Sequence, residues 1–590
     1  MKSFNFFKKS ATDISTIIFV AFYFFDIRSW NPDPHHDGIQ YTSGIAASKG
    51  KIANLDFFEQ YGPLNAYFHG FAQFIFGSEL LVLRSLTVCI LVVIAILLIV
   101  IMDKNNVNKG FRSITILLWA LNCPVTSLGN NIYGLYPWPS ITIQALLLLC
   151  ILLLTKSNRT KVSRIDKKIP QLLSLISVAV LLTRFQVGML LIPVIYFVLK
   201  YYHFNLEKEF QRNKLYLKSL IQLLLGVSFI GILNNSFRSF IDQIIIGPLG
   251  IYTTNMNWTL FFGLLKIGVP LGLIILSIYA IEKYVLSKNW EYFLYAVAIL
   301  IVILIQLQVL TRNESILQHL PININEFFSN QQLNFLSIGY LVAFMALPLM
   351  LLEFVGISKY NRFFSRETVI SSKHIKSLPN TRETEVRLME ITNLGTITIL
   401  SMPSILLLYP LPSQYHFWWS SPTVFLIISC TLRIKKFGRE IKKYIFIVIL
   451  IPTLVSLLNF WNHALERELV SLDSGIFENM KIDPIYLRSY EEMNIFMSQK
   501  SQANMSSICF DALFLSWDGN FNSNGPKVVS WAFGLSHSNS ATYPSRTLLC
   551  SDDVFAQNFA SVNKVRLISE LDYKFSWWSQ GKIFEYETIK

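Results

Sequence analysis

The chain has 590 residues, 52% hydrophobic and 15% charged, with a mean hydropathy of +0.44. Soluble globular chains carry about 25% charge. The recurrent apolar runs here exclude a string of soluble domains and indicate an α-helical polytopic membrane protein. The net charge of +14 does not indicate nucleic acid, because the basic residues lie between apolar runs and no phosphate loop or nucleic-acid motif accompanies them.

In chain order, the start "MKSFNFFKKSATDISTIIFVAFYFF" has a basic flank and no small-residue cleavage site, which predicts an uncleaved anchor helix. About 13 transmembrane helices are predicted, near 11–29, 80–102, 113–129, 138–155, 170–184, 185–202, 217–234, 258–281, 291–310, 332–354, 393–409, 418–432 and 443–460. The stretch "LLTRFQVGML" decides one of these boundaries. A single long helix would bury Arg184 in mid-membrane and place the next basic loop on the wrong side. Two short helices turning at Thr183–Arg184–Phe185 avoid both problems.

Loop charge sets the orientation. With the N-terminus inside, the inner segments hold 32 Lys/Arg, and the outer loops before residue 461 hold only Lys49, Lys51, Arg184, Arg238 and Arg312. Thirteen crossings then put residues 461–590 outside, as a small extracytoplasmic domain behind a transmembrane domain of residues 1–460. Breaks such as "SWDGNFNSNGPKVVSWAFG" predict mixed α/β structure there. The inner loop 355–392 reads as a solvated basic loop near anionic lipid.

The first outer loop, 30–79, is the longest between the early spans. "GIQYTSGIAASKGK" predicts a short helix starting near Gly38 and ended by Gly50, and "PLNAYFHGFAQFIFG" predicts a second. Both suit the membrane surface. The outer face collects Asp33, His35, His36, Asp37, Glu59, Arg84, Arg184, Arg238 and His416. Charges near a membrane are costly and usually functional. Plainer roles exist for several: snorkelling for Arg238 and Arg312, a turn cap for Asp33, and an N-cap for Asp37. Trp418 and Trp419, beside His416, suit an interfacial aromatic belt.

The stretch "HHDGIQYTSGIAASKGKIANLDFFEQYGPL", followed by "FGSELLVLRSL", resembles the first outer loop of polytopic glycosyltransferases that use lipid-carried sugars. These share the GT-C fold, and the nearest resemblance is to the protein O-mannosyltransferase and aminoarabinose transferase superfamily. Gly38, Gly50, "DFFEQYGPL", "FIFG" and Arg84 keep the spacing of that pattern over about fifty-five residues. Where the family has Asp-Glu, this chain has His36-Asp37, with Asp33 one helical turn upstream. The resemblance implies a GT-C-like fold and a polyprenyl-phosphate sugar donor. It also implies inverting transfer to an extracytoplasmic acceptor (lipid, polysaccharide or protein) and a bacterial inner membrane. Asp37, Asp33 and His36 are then the catalytic candidates, with a carboxylate taking the acceptor's proton. Arg184, Arg84, Glu59 and His416 are the substrate-binding candidates, the arginines facing the phosphate leaving group.

Asp33, His36 and Asp37 are also ligand types for a divalent metal, although their spacing matches no metal motif and the resemblance implies no general requirement for one. Cys509 and Cys550 could pair if their region lies outside the cell. A transporter or flippase of a lipid-linked or polar substrate is the alternative reading. It would show paired broken helices and inverted repeats, which the sequence lacks. A non-catalytic scaffold would tolerate loss of Asp37 and Arg184.

Overall fold

The computed structural model describes residues 11–57, 59, 61–123, 134–155, 168–201, 206–246, 393–408, 414–433, 469–473, 475–498, 505–508, 546–551, 557, 564–574 and 580–588. The expected spans at 258–281, 291–310, 332–354 and 443–460, together with Arg312 and Cys509, lie outside these residues.

The described helices follow the apolar runs. They are α1 (Ala11–Ile27), α2 (His36–Ser48), α3 (Pro63–Phe76), α4 (Leu80–Lys104), α5 (Lys109–Leu121), α6 (Pro139–Leu154), α7 (Ile169–Thr183), α8 (Phe185–Tyr201), α9 (Leu206–Leu233) and α10 (Phe237–Ile241). Beyond them come α11 at 393–401 and α12 (Gln414–Arg433). Among the described residues, Leu80–Lys104 and Arg212–Leu233 are long and apolar enough to cross a membrane by length and composition. The apolar α6, α7 and α8 are shorter. Helix α9 starts inside the expected basic loop, because no Gly or Pro interrupts 206–225 to end it at the apolar boundary.

The α7–α8 pair is a tight hairpin. Arg184 alone leaves the helical conformation, at φ −154° and ψ 103°. Gly188 makes the turn possible, since a Cβ there would collide with the Leu181 backbone. The main core joins α1, α4, α5, α6, α7, α8 and α12. Trp119 and Trp418 stack at 6.1 Å within it, and Phe24 packs on both. This corrects the belt reading of Trp418 and Trp419. Both are buried, and Trp418 Nε1 donates to the Trp119 carbonyl at 3.1 Å, so its polar edge is satisfied inside the protein. At the other end of the bundle, buried Arg112 ties three helices together through Asp13 of α1 and Asp103 of α4, both at 2.7 Å.

Helices α2 and α3 cross closely. A Cβ on Gly70 would sit 2.8 Å from Ala47 Cβ and from Ser48 N, and one on Gly44 would sit 3.1 Å from His69 Cβ. Helix α3 buries Asn65, His69 and Gln73, spaced one turn apart, while Phe71, Phe74 and Phe76 are exposed. A polar face turned inward and an aromatic face turned outward suit a helix lying on lipid.

Strands among the described residues all lie from Val470 onward. β1 (Val470–Leu472) and β2 (Met480–Ile482) form an antiparallel ribbon, followed by α13 (Pro484–Ser498). β3 (Met505–Ile508), β4 (Arg546–Ser551), β5 (Val565–Lys574) and β6 (Gln580–Thr588) make a sheet of order β3-β4-β6-β5, with β3 and β4 parallel and the other pairs antiparallel. This segment docks on the first loop. Phe477, Met480, Tyr490 and Ile583 share a core with Tyr41, Ile45, Leu80 and Leu83.

The α2–α3 crossing is testable against an internal control. Gly226, in α9, has open space where its Cβ would be. Gly70→Ala is expected to lower the apparent melting temperature in detergent, with overpacking costing about 1–3 kcal/mol. Gly226→Ala should leave it unchanged or raise it, through a helix-propensity gain of up to ~1 kcal/mol.

Candidate active site

The site is built on the stretch "NPDPHHDGIQ". Asn31 takes a positive φ of 44°, which asparagine tolerates better than most residues. Its backbone N–H donates to Lys481 O at 2.7 Å, and its Oδ1 accepts from Asp483 N at 3.3 Å. Lys481 N donates back to Ser29 O at 2.7 Å, and Tyr490 Oη donates to the Pro32 carbonyl at 2.8 Å. The C-terminal ribbon therefore holds the loop's backbone.

Helix α2 starts at His36, earlier than the expected start near Gly38, so Asp37 is not its N-cap. Asp33 does the capping: its Oδ1 accepts from His35 N at 2.9 Å and His36 N at 2.8 Å. The Pro-Asp-Pro sequence fixes this turn ahead of the helix.

Asp37 instead points into the protein, onto Arg84 in the second turn of α4. Arg84 Nε donates to Asp37 Oδ1 at 3.0 Å, and Nη2 donates to Oδ2 at 2.5 Å. Asp33 N also donates to Oδ2, at 2.8 Å. The remaining Arg84 donors reach Asn31 O at 2.9 Å, Arg28 O at 3.0 Å and the Trp30 carbonyl. Every N–H of the guanidinium thus has an acceptor. Gly134 passes so close that a Cβ there would strike Arg84 and Asn31. Burial pushes the Asp37 carboxyl above its ordinary value, and Arg84 offsets only part of that rise.

His36 differs from both acids. Its side chain retains 20% exposure against 2% for Asp33. The ring stacks on Tyr136 at 4.7 Å and lies edge-on to His35 at 4.8 Å. Its Nδ1 is 3.3 Å from Asp33 Oδ1. Trp138, 5.8 Å from the same ring, stacks on Trp419 and meets Tyr61 edge-on at 5.4 Å.

Tyr61 joins this cluster to the other two candidates. Arg184 lies 5.4 Å over the Tyr61 ring, and its Nη1 donates to Ser140 Oγ at 3.1 Å. Gly62 lets the loop reach the end of α7, since a Cβ there would meet the Leu182 carbonyl. Glu59 Oε1 accepts from Tyr61 N at 3.4 Å, and the carboxyl is also held by Ser43 and Gly62 N. Its Oε2 is buried with no hydrogen-bond partner among the described residues, and burial pushes the group up to about 7.

The structure therefore links His36 to Asp33, Asp33 to Asp37 and Asp37 to Arg84, while Tyr61 touches Arg184 with its ring and Glu59 with its backbone N–H. His416 lies on α12, whose Trp419 touches Trp138, but its side chain is outside the described residues. Arg238 stands apart, 94% exposed and 4.0 Å from Asp242. Among the described residues, no three His, Cys, Asp or Glu side chains are gathered to hold a metal. At the candidate trio, Asp37 turns both oxygens to Arg84, away from a shared point.

Sequence reasoning missed Tyr136, Trp138 and Ser140 of "LYPWPS", which read only as the approach to and first residues of a span. It also missed Gln144, whose amide is buried with both polar atoms unpartnered among the described residues, one turn along α6 from Ser140. A lone amide in the apolar run "SITIQALLLL" was its signal.

No protein-family model matches the chain, and no curated protein matches it. Among solved structures it is similar to ArnT from Cupriavidus metallidurans, crystallised bound to undecaprenyl phosphate. The likeness has 12% identity, covers 98% of each chain and has a TM-score of 0.38.

Two predictions follow from the burial of these charges. Arg84→Met strands Asp37 in the interior and should cost about 3–5 kcal/mol, whereas the double substitution Arg84→Met with Asp37→Leu should recover part of that loss. Thermal survival in detergent, read by size-exclusion chromatography, checks both. For Glu59, a raised carboxyl pKa means the folded chain holds the proton more tightly than the unfolded chain. Its contribution is then complete below the unfolded value of 4.5 and is lost as pH rises through about 7. Glu59→Gln should remove a penalty of about 3 kcal/mol above that window. The variant's apparent melting temperature should exceed the parent's at pH 8 and match it near pH 4.5.

Proposed function

We propose that this protein is an integral-membrane glycosyltransferase of the GT-C type. In this reading it moves a sugar from a polyprenyl-phosphate donor to an acceptor hydroxyl or amine at the outer face of a bacterial inner membrane, with inversion. The observation that carries the reading is that Tyr61 holds Arg184 over its ring and Glu59 at its backbone N–H, and reaches His36 of the Asp33–His36–Asp37 cluster through Trp138. A lipid-carried phosphosugar needs a fixed cation for its phosphate and polar groups for its sugar hydroxyls, at the level where apolar helices end. The loop's resemblance to lipid-carrier glycosyltransferases supports the same reaction class.

Roles follow from what each side chain already holds. Arg84 has all its N–H groups committed to Asp37 and to backbone carbonyls, so it positions the loop. Arg184, steadied by Ser140, is the cation for the phosphate as the bond to the anomeric carbon breaks. Glu59, with its unpartnered oxygen, hydrogen-bonds a sugar hydroxyl. Thirteen crossings with the N-terminus inside, and residues 461–590 outside, belong to this reading, as does His416 as a further outer-face contact.

The test supplies the purified protein with labelled polyprenyl-phosphate hexoses and pentoses and measures transfer to lipid, polysaccharide and protein acceptors. Transfer by the parent is expected, and Arg184→Gln should lower kcat at least about 100-fold, the cost of removing a group that stabilises developing charge. Absence of transfer from every donor, with substrate flux into sealed vesicles instead, would put a transporter in its place.

A further inference from the structure

The family that the loop resembles places an acidic pair where this chain has His36-Asp37. The geometry divides the work of that pair differently here. Asp37 is wholly buried and gives its carboxylate to Arg84 and Asp33 N, so it faces the protein's own charges. Asp33 is also buried, and its Oδ1 is turned toward the N–H groups of His35 and His36 and toward the His36 ring. Among the three, only His36 retains appreciable contact with the surroundings of the loop.

A carboxylate beside Nδ1 selects the imidazole tautomer with its proton on that nitrogen and leaves the lone pair on Nε2. The same carboxylate steadies the imidazolium once it forms, which is how a carboxylate supports a histidine base in other group transfers. The Tyr136 ring, stacked within 9° of parallel, fixes the imidazole plane.

We infer that the Asp33–His36 dyad, and not Asp37, takes the acceptor's proton, with Nε2 as the accepting atom. The inference rests on the glycosyltransferase reading above. In the step, the acceptor O–H or N–H proton passes to Nε2 as the acceptor's electron pair forms the bond to the anomeric carbon. The bond from that carbon to the phosphate oxygen breaks, its electrons leave with the polyprenyl phosphate, and the imidazolium later returns the proton to water. His36 is the catalytic residue, and Asp33 is a positioning residue acting through it. The groups facing the imidazole are Asp33, His35, Tyr136 and Trp138, with Asp37 adjacent in sequence and Arg84 5.9 Å from the Tyr136 ring.

The experiment has two arms on the full chain in nanodiscs. In the first, imidazole nitrogens of the nine histidines are 15N-labelled and the His36 signal is assigned by its loss in His36→Gln. The Nδ1–H tautomer is expected without any substrate, and it should weaken in Asp33→Asn. An Nε2–H tautomer overturns the inference whatever the activity. In the second arm, pH–rate profiles of sugar transfer are compared. His36→Gln should lower kcat about 10²- to 10⁴-fold with little change in KM. It should also abolish the acid limb of the profile. His36→Glu should restore part of the rate with that limb about two pH units lower, the difference between an imidazole and a carboxyl. A parent that transfers sugar and a His36→Gln variant that does so equally well would sink the dyad and leave the glycosyltransferase reading standing. A parent silent toward every donor would remove both.

Discussion

Much of the architecture around this protein's first loop hangs on one buried ion pair, Asp37 with Arg84. Both side chains are fully enclosed, and an unpaired charge in such a place would be strongly destabilising. The pair is tolerable because it is saturated: the guanidinium serves the carboxylate twice and three backbone carbonyls besides. Those carbonyls belong to Arg28, Trp30 and Asn31, the chain leaving α1. One side chain on α4 thus fixes the end of α1, the start of α2 and the loop between them. The turn that presents Asp33 and His36 takes its position from this contact.

Helix α4 has a second, half-exposed ion pair at its other end. Asp103 there meets Arg112, which also holds Asp13 of α1. Both clamps sit on one apolar helix of 25 residues, about 37 Å long at 1.5 Å per residue. Hydrophobic packing alone permits such a helix to slide or rotate, because one apolar side chain replaces another at little cost. Ion pairs with fixed hydrogen-bond geometry at both ends remove that freedom. The C-terminal ribbon adds a third constraint through Lys481, Asp483 and Tyr490, holding the loop backbone from the opposite side to Arg84.

How much of this was legible in the sequence depends on the range of the interaction. Helices were legible because apolar runs are local, and the α7–α8 turn was legible because an arginine in mid-span has few tolerable positions. The start of α2 was misplaced because two aspartates competed for one cap, and the sequence does not say which one folds inward. The choice is made by Arg84, 47 residues away. Trp418 and Trp419 were read from composition as interfacial, but Trp119 and Trp138 provide stacking partners that no local pattern reveals. The contact between Tyr490 and Pro32 spans 458 residues and has no sequence signature at all.

The charge of the cluster also explains why a histidine can stand where the resembling family has an acid. The formal charges of Asp33, Asp37 and Arg84 sum to one negative charge in a space largely closed to water. A third carboxylate at position 36 would add another, and each unit of uncompensated charge grows more costly as the local dielectric falls. A histidine at that position does not add a third carboxylate. The substitution that departs from the family pattern is therefore consistent with a buried Asp37 already committed to Arg84. The acid at 37 fixes the loop, and in the proposed mechanism the imidazole at 36 handles the proton.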